Sequence, residues 1–139
     1  MSNVTPIRPK TGADTEKVTI NLGYVDLGQI DLLVQEGFYS NRTDFIRTAI
    51  RNQLTTHADV VKQTVTRKTL ELGLRHYSRQ DLEAVKQAGE KLHIQVVGLA
   101  TLATDVSPEL ALATIEAITV LGVLQASPAV KAALAGRIF

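Results

Sequence analysis

The sequence predicts an α+β protein in which a strand and two helices (β-α-α) are followed by a small α/β segment of three βα repeats. Three observations predict this fold class. Apolar and polar residues alternate over residues 17–22, two helical patterns follow up to residue 54, and three glycine-centred apolar runs recur later. Alternation is typical of a half-buried strand, whereas recurrence every three or four residues is typical of a helix. The 139 residues suffice for one ordinary domain or two very small ones.

Residues 1–16 precede the first regular pattern. They are rich in Thr, Pro, Gly, Asn and Asp, and Val4 and Ile7 are their only large branched apolar residues. Such a segment buries too little apolar surface to offset the entropy lost when it becomes ordered. We therefore expect a flexible N-terminal arm.

A strand is predicted at residues 17–22. The apolar positions are Val18, Ile20 and Leu22, and the polar positions between them are Lys17, Thr19 and Asn21. Because side chains alternate across a strand, the apolar set lies on one face and the polar set on the other. Gly23 ends the pattern.

Two helices are predicted after this strand. The first ends near Gly37, a residue that tolerates the positive φ common after a helix C-terminus. The second begins at Ser40, a favourable N-cap residue, and has Asp44 in its first turn. Residues 55–68 are expected to form a helical connector. The apolar positions of the two helices are Leu27, Ile30, Leu33 and Val34, then Phe45, Ile46, Ala49, Ile50 and Leu54.

Residues 69–139 contain three similar segments. Gly73, Gly98 and Gly122 lie in apolar runs, 25 and 24 residues apart. Each run is followed by a serine suited to cap a helix, and these serines are Ser78, Ser107 and Ser127. The spacing lies in the range of small solenoid-like repeats. Alternatively, three βα units form a compact α/β domain and the regular glycine spacing is accidental.

The strand and two helices of residues 17–54 are too few to close a core alone, since domains below about 40 residues usually need disulfides, metal or oligomerisation. The lone strand also needs a partner for its backbone groups. Pairing it with the same strand of a second copy meets both needs and gives an isologous homodimer. The resulting two-stranded antiparallel ribbon fits the major groove of B-DNA.

At this point the chain resembles a known family. Residues 17–54 resemble the ribbon-helix-helix DNA-binding domain of the CopG/Arc/MetJ type in two segments, KVTINL and IDLLVQEGFYSNRTDFIRTAIR. The resemblance implies a sequence-specific, DNA-binding transcriptional regulator. We expect a repressor, because a ribbon dimer that covers an operator blocks access by itself. One departure is Gly23, where many relatives carry a proline.

The resemblance also implies roles for individual residues. It assigns base reading to Lys17, Thr19 and Asn21, and phosphate binding to Ser40, Asn41 and Arg42. Asn21 is suited to bidentate pairing with adenine, and Lys17 favours guanine. The start of a helix is a ready site for a phosphate. Arg47 and Arg51, which lie one turn apart, are interpreted mainly as a solvated face or as partners of acids such as Asp44, and a contact with DNA is the alternative.

Other classes of function lack support in the sequence. The absence of cysteine excludes disulfides, thiolate metal sites and thiol catalysis. His57, His76 and His93 are scattered, and no catalytic motif occurs. We therefore expect no catalytic residue, metal ligand or cofactor, and no enzymatic activity. Without a long apolar run or a signal-peptide pattern, we expect a cytoplasmic protein, associated with the bacterial nucleoid and not with a membrane.

The last segment is apolar. Residues 94–139 are dominated by Ala, Val, Leu, Ile and Thr, and no polar capping repeat is evident. Because repeat arrays need polar caps to stay soluble, we expect residues 69–139 to join ribbon dimers into higher homo-oligomers. Three alternatives stay open: an antitoxin-type regulator whose C-terminal part binds a toxin, a repressor that senses a small organic ligand, and a self-assembling scaffold with no DNA role.

Overall fold

The computed structural model describes residues 15–139, which form six α-helices and three β-strands. The arm predicted for residues 1–16 lies outside the described residues, apart from Thr15 and Glu16. The chain divides into two compact units, the first ending at Val61 and the second spanning Lys62–Phe139. No helix in the described part of the chain is long and apolar enough to cross a bilayer.

The first unit contains a pair of helices, α1 (Tyr24–Gln35) and α2 (Arg42–Thr56). The turn between them begins at Gly37, whose φ of +87° favours glycine. The backbone N–H groups of Gly37 and Phe38 donate to carbonyls at the end of α1, which satisfies helix-end acceptors. A third helix, α3 (Ala58–Arg67), follows where a helical connector was predicted.

Residues 15–23 have no regular secondary structure in the single chain. The strand predicted at residues 17–22 is therefore not confirmed. A strand is recognised by hydrogen bonds to a neighbouring strand. In our prediction that neighbour belongs to a second copy, which the single chain does not contain.

The second unit is built from three strands and three helices that alternate along the chain. The strands form a parallel sheet in the order β1-β2-β3, and one helix follows each strand. Their bounds are β1 Glu71–Tyr77, α4 Arg79–Gln87, β2 Leu92–Leu102, α5 Pro108–Thr114, β3 Ile115–Gln125 and α6 Pro128–Ala133. The predicted serine caps are confirmed, because the hydroxyls of Ser78, Ser107 and Ser127 each accept a backbone N–H three residues later.

The three glycines of the repeated pattern form one row across the sheet. Gly73 pairs with Gly98, and Gly98 pairs with Gly122, each with φ between +119° and +138°. A Cβ on Gly98 would lie 2.1 Å from the Gly73 carbonyl oxygen, and a Cβ on Gly122 would lie 2.1 Å from that of Gly98. Both the dihedral angle and the close approach therefore require glycine in the second and third strands, so the regular spacing has a structural cause.

The core of the second unit lies between one face of the sheet and the helices. Ile94, Val96, Ala100 and Leu102 are almost completely buried, and these alternate residues of β2 mark the buried face. They belong to one apolar cluster with side chains of all three helices, including Leu82 from α4, Leu110 from α5 and Val130 from α6. The buried Thr114 hydroxyl donates to the Leu110 carbonyl at 2.8 Å, which avoids an unsatisfied polar group.

Candidate nucleic-acid interface

The segment before α1 is exposed on both of its predicted faces. Lys17, Thr19 and Asn21 are exposed, as expected for side chains that would read base edges. The apolar Val18 and Ile20 are also open to solvent, with 76% and 60% of their surface exposed. In the single chain, the apolar side of the predicted strand therefore has no cover.

The helix pair beneath this segment does not close a core. Ile30 is the only buried side chain in α1, and α2 has none. An open cleft of ≈ 330 Å³ is lined by Leu22, Ile30, Leu33 and Phe45, together with Asp26 and Gln29. A second cleft of ≈ 520 Å³ is lined by Ile20, Asn21, Leu22, Tyr24, Leu27, Arg42 and Ile46. The apolar side chains of both helices are thus available to a second copy.

The start of α2 corrects one prediction. The N-cap is Asn41, not Ser40, because the Asn41 Oδ1 accepts the Asp44 backbone N–H at 2.8 Å. In return, the Asp44 carboxylate accepts the Ser40 backbone N–H at 2.9 Å. Asn and Ser are comparable caps, so the residue three positions later decides between them. Three residues after Asn41 the chain has Asp44, whose carboxylate can accept a hydrogen bond. Three residues after Ser40 it has Thr43, which lacks a carboxylate.

Arg42, a predicted phosphate ligand, is engaged by α1. Its Nε and Nη2 donate to the two carboxylate oxygens of Asp31, each at 2.8 Å. These hydrogen bonds hold the pKa of Asp31 below its ordinary value and raise that of Arg42. About half of each side chain is exposed, so the pair contributes little stability and acts mainly as a tie between the helices.

Arg47 and Arg51 border the same depression as the start of α2. Its lining consists of Ser40, Asn41, Thr43, Asp44, Arg47 and Arg51. Both arginines are exposed, and neither forms an ion pair within residues 15–139. Their guanidinium charges outweigh the single carboxylate of Asp44. The depression is therefore suited to an anion.

The sequence favoured a solvated face for these two arginines, and a contact with DNA stays a prediction. Their spacing of four residues places both on one side of α2. Elsewhere, the described part of the chain holds no cluster of three or more side chains able to bind a metal ion.

Comparison with known proteins gave one result. A model of the ribbon-helix-helix transcriptional regulator family matches residues 13–131. The match includes the exposed segment and both helices of the first unit, and it continues into α6 of the second unit. No curated protein and no solved structure gave a significant match.

Proposed function

This chain belongs to the ribbon-helix-helix transcriptional regulator family, and we propose that it is a sequence-specific repressor that inserts a dimeric ribbon of residues 17–22 into the DNA major groove. Family membership supports DNA binding and transcriptional regulation. The repressor role rests on geometry, because a dimer that covers an operator excludes other proteins from it.

The observation that carries this proposal is the exposed, alternating segment next to an open helix pair. In a ribbon dimer, Val18, Ile20 and Leu22 of each copy cover the apolar clefts. Burial of each such side chain contributes roughly 1.5–3 kcal/mol when it is complete. The same pairing satisfies the strand's backbone N–H and C=O groups, which a single chain leaves to water. The polar side chains then face outward.

The outward face supplies the base contacts of the proposal. Lys17, Thr19 and Asn21 of each copy enter the major groove, whose base edges present a distinct pattern for each base pair. In the bidentate arrangement that selects adenine, the Asn21 amide nitrogen donates to N7 and the Asn21 Oδ1 accepts from the N6 amino group. The ammonium of Lys17 selects guanine, whose O6 and N7 both accept.

Phosphate contacts fix the dimer on the duplex. In this proposal a phosphate binds at Ser40, Asn41 and Arg42, at the start of α2, where the helix dipole favours an anion. The backbone N–H of Ser40 already donates to the Asp44 carboxylate, so Ser40 contributes its hydroxyl. Of the five N–H donors of Arg42, two bind Asp31 and three stay available. The guanidinium can therefore contact a phosphate without releasing α1, and Arg47 and Arg51 add positive charge beside it.

The second unit supplies self-association in this proposal. Joining several DNA-binding heads raises avidity for tandem sites without any new base contact. The folded core of this unit favours self-association over an antitoxin-type tail, because such a tail is expected to order only on binding its toxin.

A gel-shift assay with DNA from the protein's own promoter tests the proposal, with Asn21→Ala as the variant. We expect a loss of specific affinity of about 5- to 150-fold, since a bidentate base contact is worth about 1–3 kcal/mol. Non-specific binding should persist. Asn52→Ala, an exposed change of the same chemistry in α2, is the matched control and should leave binding unchanged. Equal affinities of wild type and Asn21→Ala on a footprinted site would contradict the proposed reading face.

A further inference from the structure

The face of the C-terminal sheet opposite its helices is open and apolar. Leu72, Leu74 and Leu121 are 66%, 65% and 60% exposed on it. With three partly buried residues of β2 and β3 they form two rows in register, Leu72–Val97–Leu121 and Leu74–Leu99–Val123. The residues that flank these rows are polar and include no Lys, Arg, Asp or Glu, namely His76, Gln95, Thr101, Thr119 and Gln125. We call this surface the open face.

A groove crosses the three strands in the middle of the open face. The exposed row Gly73–Gly98–Gly122 lies between the two aliphatic rows and carries no side chain. The aliphatic rows are two residues apart along each strand, or about 6.6 Å. The surface is therefore two ridges separated by a groove of bare backbone.

Such a face requires a cover. Parallel sheets occur almost only with both faces buried, and here the helices cover one. Three leucines with more than half of their surface in water are a large apolar exposure for so small a sheet.

We infer that the open face of a second copy is the cover, so that two C-terminal units pack sheet against sheet. In an isologous contact the same surface patch meets itself across a two-fold axis, so a face of one charge would repel its copy. The rows and their flanks carry no Lys, Arg, Asp or Glu. A ridge of one copy also has the groove of the other to occupy.

The edges of the sheet are less suited to self-association. On the outer strand β1, Arg75 and Glu71 form an ion pair at 3.5 Å, and charge on an edge strand opposes further pairing. On the other side, Ile138 pairs with Ile118 of β3, and the Phe139 N–H donates to the Ile118 carbonyl at 2.8 Å. Part of that edge is thereby occupied by the chain itself.

The size of the open face makes this association depend on the N-terminal dimer, so the inference rests on the proposed function. The paired part of the sheet is seven residues long, with a rise of about 3.3 Å per residue, and three strands wide, with a spacing of about 4.8 Å. The open face therefore covers on the order of 300 Å² per copy. A stable interface usually buries about 800 Å² per partner. When two ribbon dimers meet, contact between one pair of C-terminal units holds the second pair at an effective concentration of about a millimolar, so that two small contacts act together.

The absence of native cysteine allows a direct test in the full chain. A single cysteine is introduced by Leu99→Cys on the central strand or Leu74→Cys on β1, and the protein is oxidised. We expect a disulfide-linked dimer from Leu99→Cys, because the central strand lies nearest the two-fold axis of a face-to-face contact, and Leu74→Cys tests an axis displaced toward β1. Gln87→Cys, exposed on α4, is the matched control and should cross-link at least about tenfold more slowly, because only collisions bring it together.

A charge on the open face should prevent this cross-link. Leu121→Glu, added to Leu99→Cys, should slow disulfide formation about tenfold or more, whereas Gln87→Glu should have no effect. Absence of the disulfide from both Leu99→Cys and Leu74→Cys overturns the inference and leaves the open face to a different protein. Equal cross-linking through Gln87→Cys also overturns it.

The same preparations separate this inference from the proposed function. If the open face fails but the DNA proposal holds, Leu99→Cys forms no disulfide-linked dimer on oxidation while specific gel shifts persist. If the DNA proposal fails alone, no specific shift is seen while the cross-link still forms.

Discussion

The two units of this chain differ in how much of their apolar surface they bury by themselves. In residues 15–61 only Ile30 is buried among the apolar side chains, whereas the second unit encloses a continuous cluster that includes Leu82, Ile94 and Ile118. Both units contain similar apolar patterns in the sequence. A pair of helices alone therefore leaves much of its apolar surface exposed to a partner. A sheet packed against helices buries the apolar side chains of one of its own faces.

The largest effect is expected from Gly98→Ala in the second unit. Its Cβ would lie 2.1 Å from the Gly73 carbonyl oxygen at a φ of +138°, so the central strand must shift. We expect a loss above about 4 kcal/mol, within the range of severe backbone and packing defects, and loss of the cooperative melting of this unit. Calorimetry of the full chain measures it.

Two other glycines serve as graded controls for that variant. Gly73→Ala meets no atom within 4 Å but keeps a φ of +135°, so it should cost about 1–2 kcal/mol. Gly28→Ala, inside α1 with open space around it, should stabilise by about 0.5–1 kcal/mol. Equal melting of all three variants would show that the glycine row does not hold the sheet.

Dimerisation through the first unit should be more sensitive to a charge on the apolar side of residues 17–22 than to a charge on the polar side. Ile20→Asp places a carboxylate against the clefts of the helix pair and should abolish the dimer. Thr19→Asp adds the same charge on the opposite side and should leave the dimer intact while it weakens DNA binding. Light scattering and gel shifts separate the two effects. A dimer that survives Ile20→Asp would contradict the ribbon.

A smaller effect is expected at the depression beside α2. Specific affinity should fall with salt at a log–log slope of about −0.9 for each phosphate neutralised. Arg47→Gln or Arg51→Gln should reduce the magnitude of that slope by about one. Arg67→Gln, an exposed change in α3 at a residue that does not line the depression, is the control. Identical slopes for all three variants would remove the arginines from the phosphate contacts.

The smallest effect concerns two carboxylates, one in each unit. The pKa of Asp31 is lowered by hydrogen bonds from Arg42, and that of Asp81 by the Ser78 backbone N–H and hydroxyl. A lowered folded-state pKa adds stability above the unfolded value, and this stability is lost as the pH falls through the folded value. Both groups are exposed, so the loss below about pH 4 should be slight.

Titration of the carboxyl groups by NMR checks this pair. Arg42→Gln should return the pKa of Asp31 toward its ordinary value and leave that of Asp81 unchanged. Ser78→Ala should raise the pKa of Asp81 only in part, because the backbone N–H of residue 78 remains, and should leave that of Asp31 unchanged. If Arg42→Gln moves neither midpoint, the bidentate pair is absent in solution.

The sequence was most informative where the controlling contacts are local. The serine caps at Ser78, Ser107 and Ser127 were predictable because a cap depends on the residues of one turn. At Ser40 the same reasoning was wrong by one residue. There two good caps are adjacent, and only Asp44, three residues after Asn41, decides between them.

Contacts between distant residues were beyond the sequence. Nothing local indicates that Arg42 binds Asp31, eleven positions earlier, because the turn at Gly37 sets how the two helices meet. The glycine spacing predicted three strands but not that the glycines share one row. The segments around them are apolar on both faces, which is typical of a sheet buried on both sides, and the open face is visible only once the helices are placed.

The glycine row has a stereochemical consequence. At Gly98 the forbidden position is that of an L-residue's Cβ, and the φ of +138° is one that the mirror-image amino acid adopts readily. A chain assembled by chemical synthesis with D-alanine at this site would leave that position empty and would keep this φ without strain. We therefore expect D-alanine to cost less stability here than L-alanine.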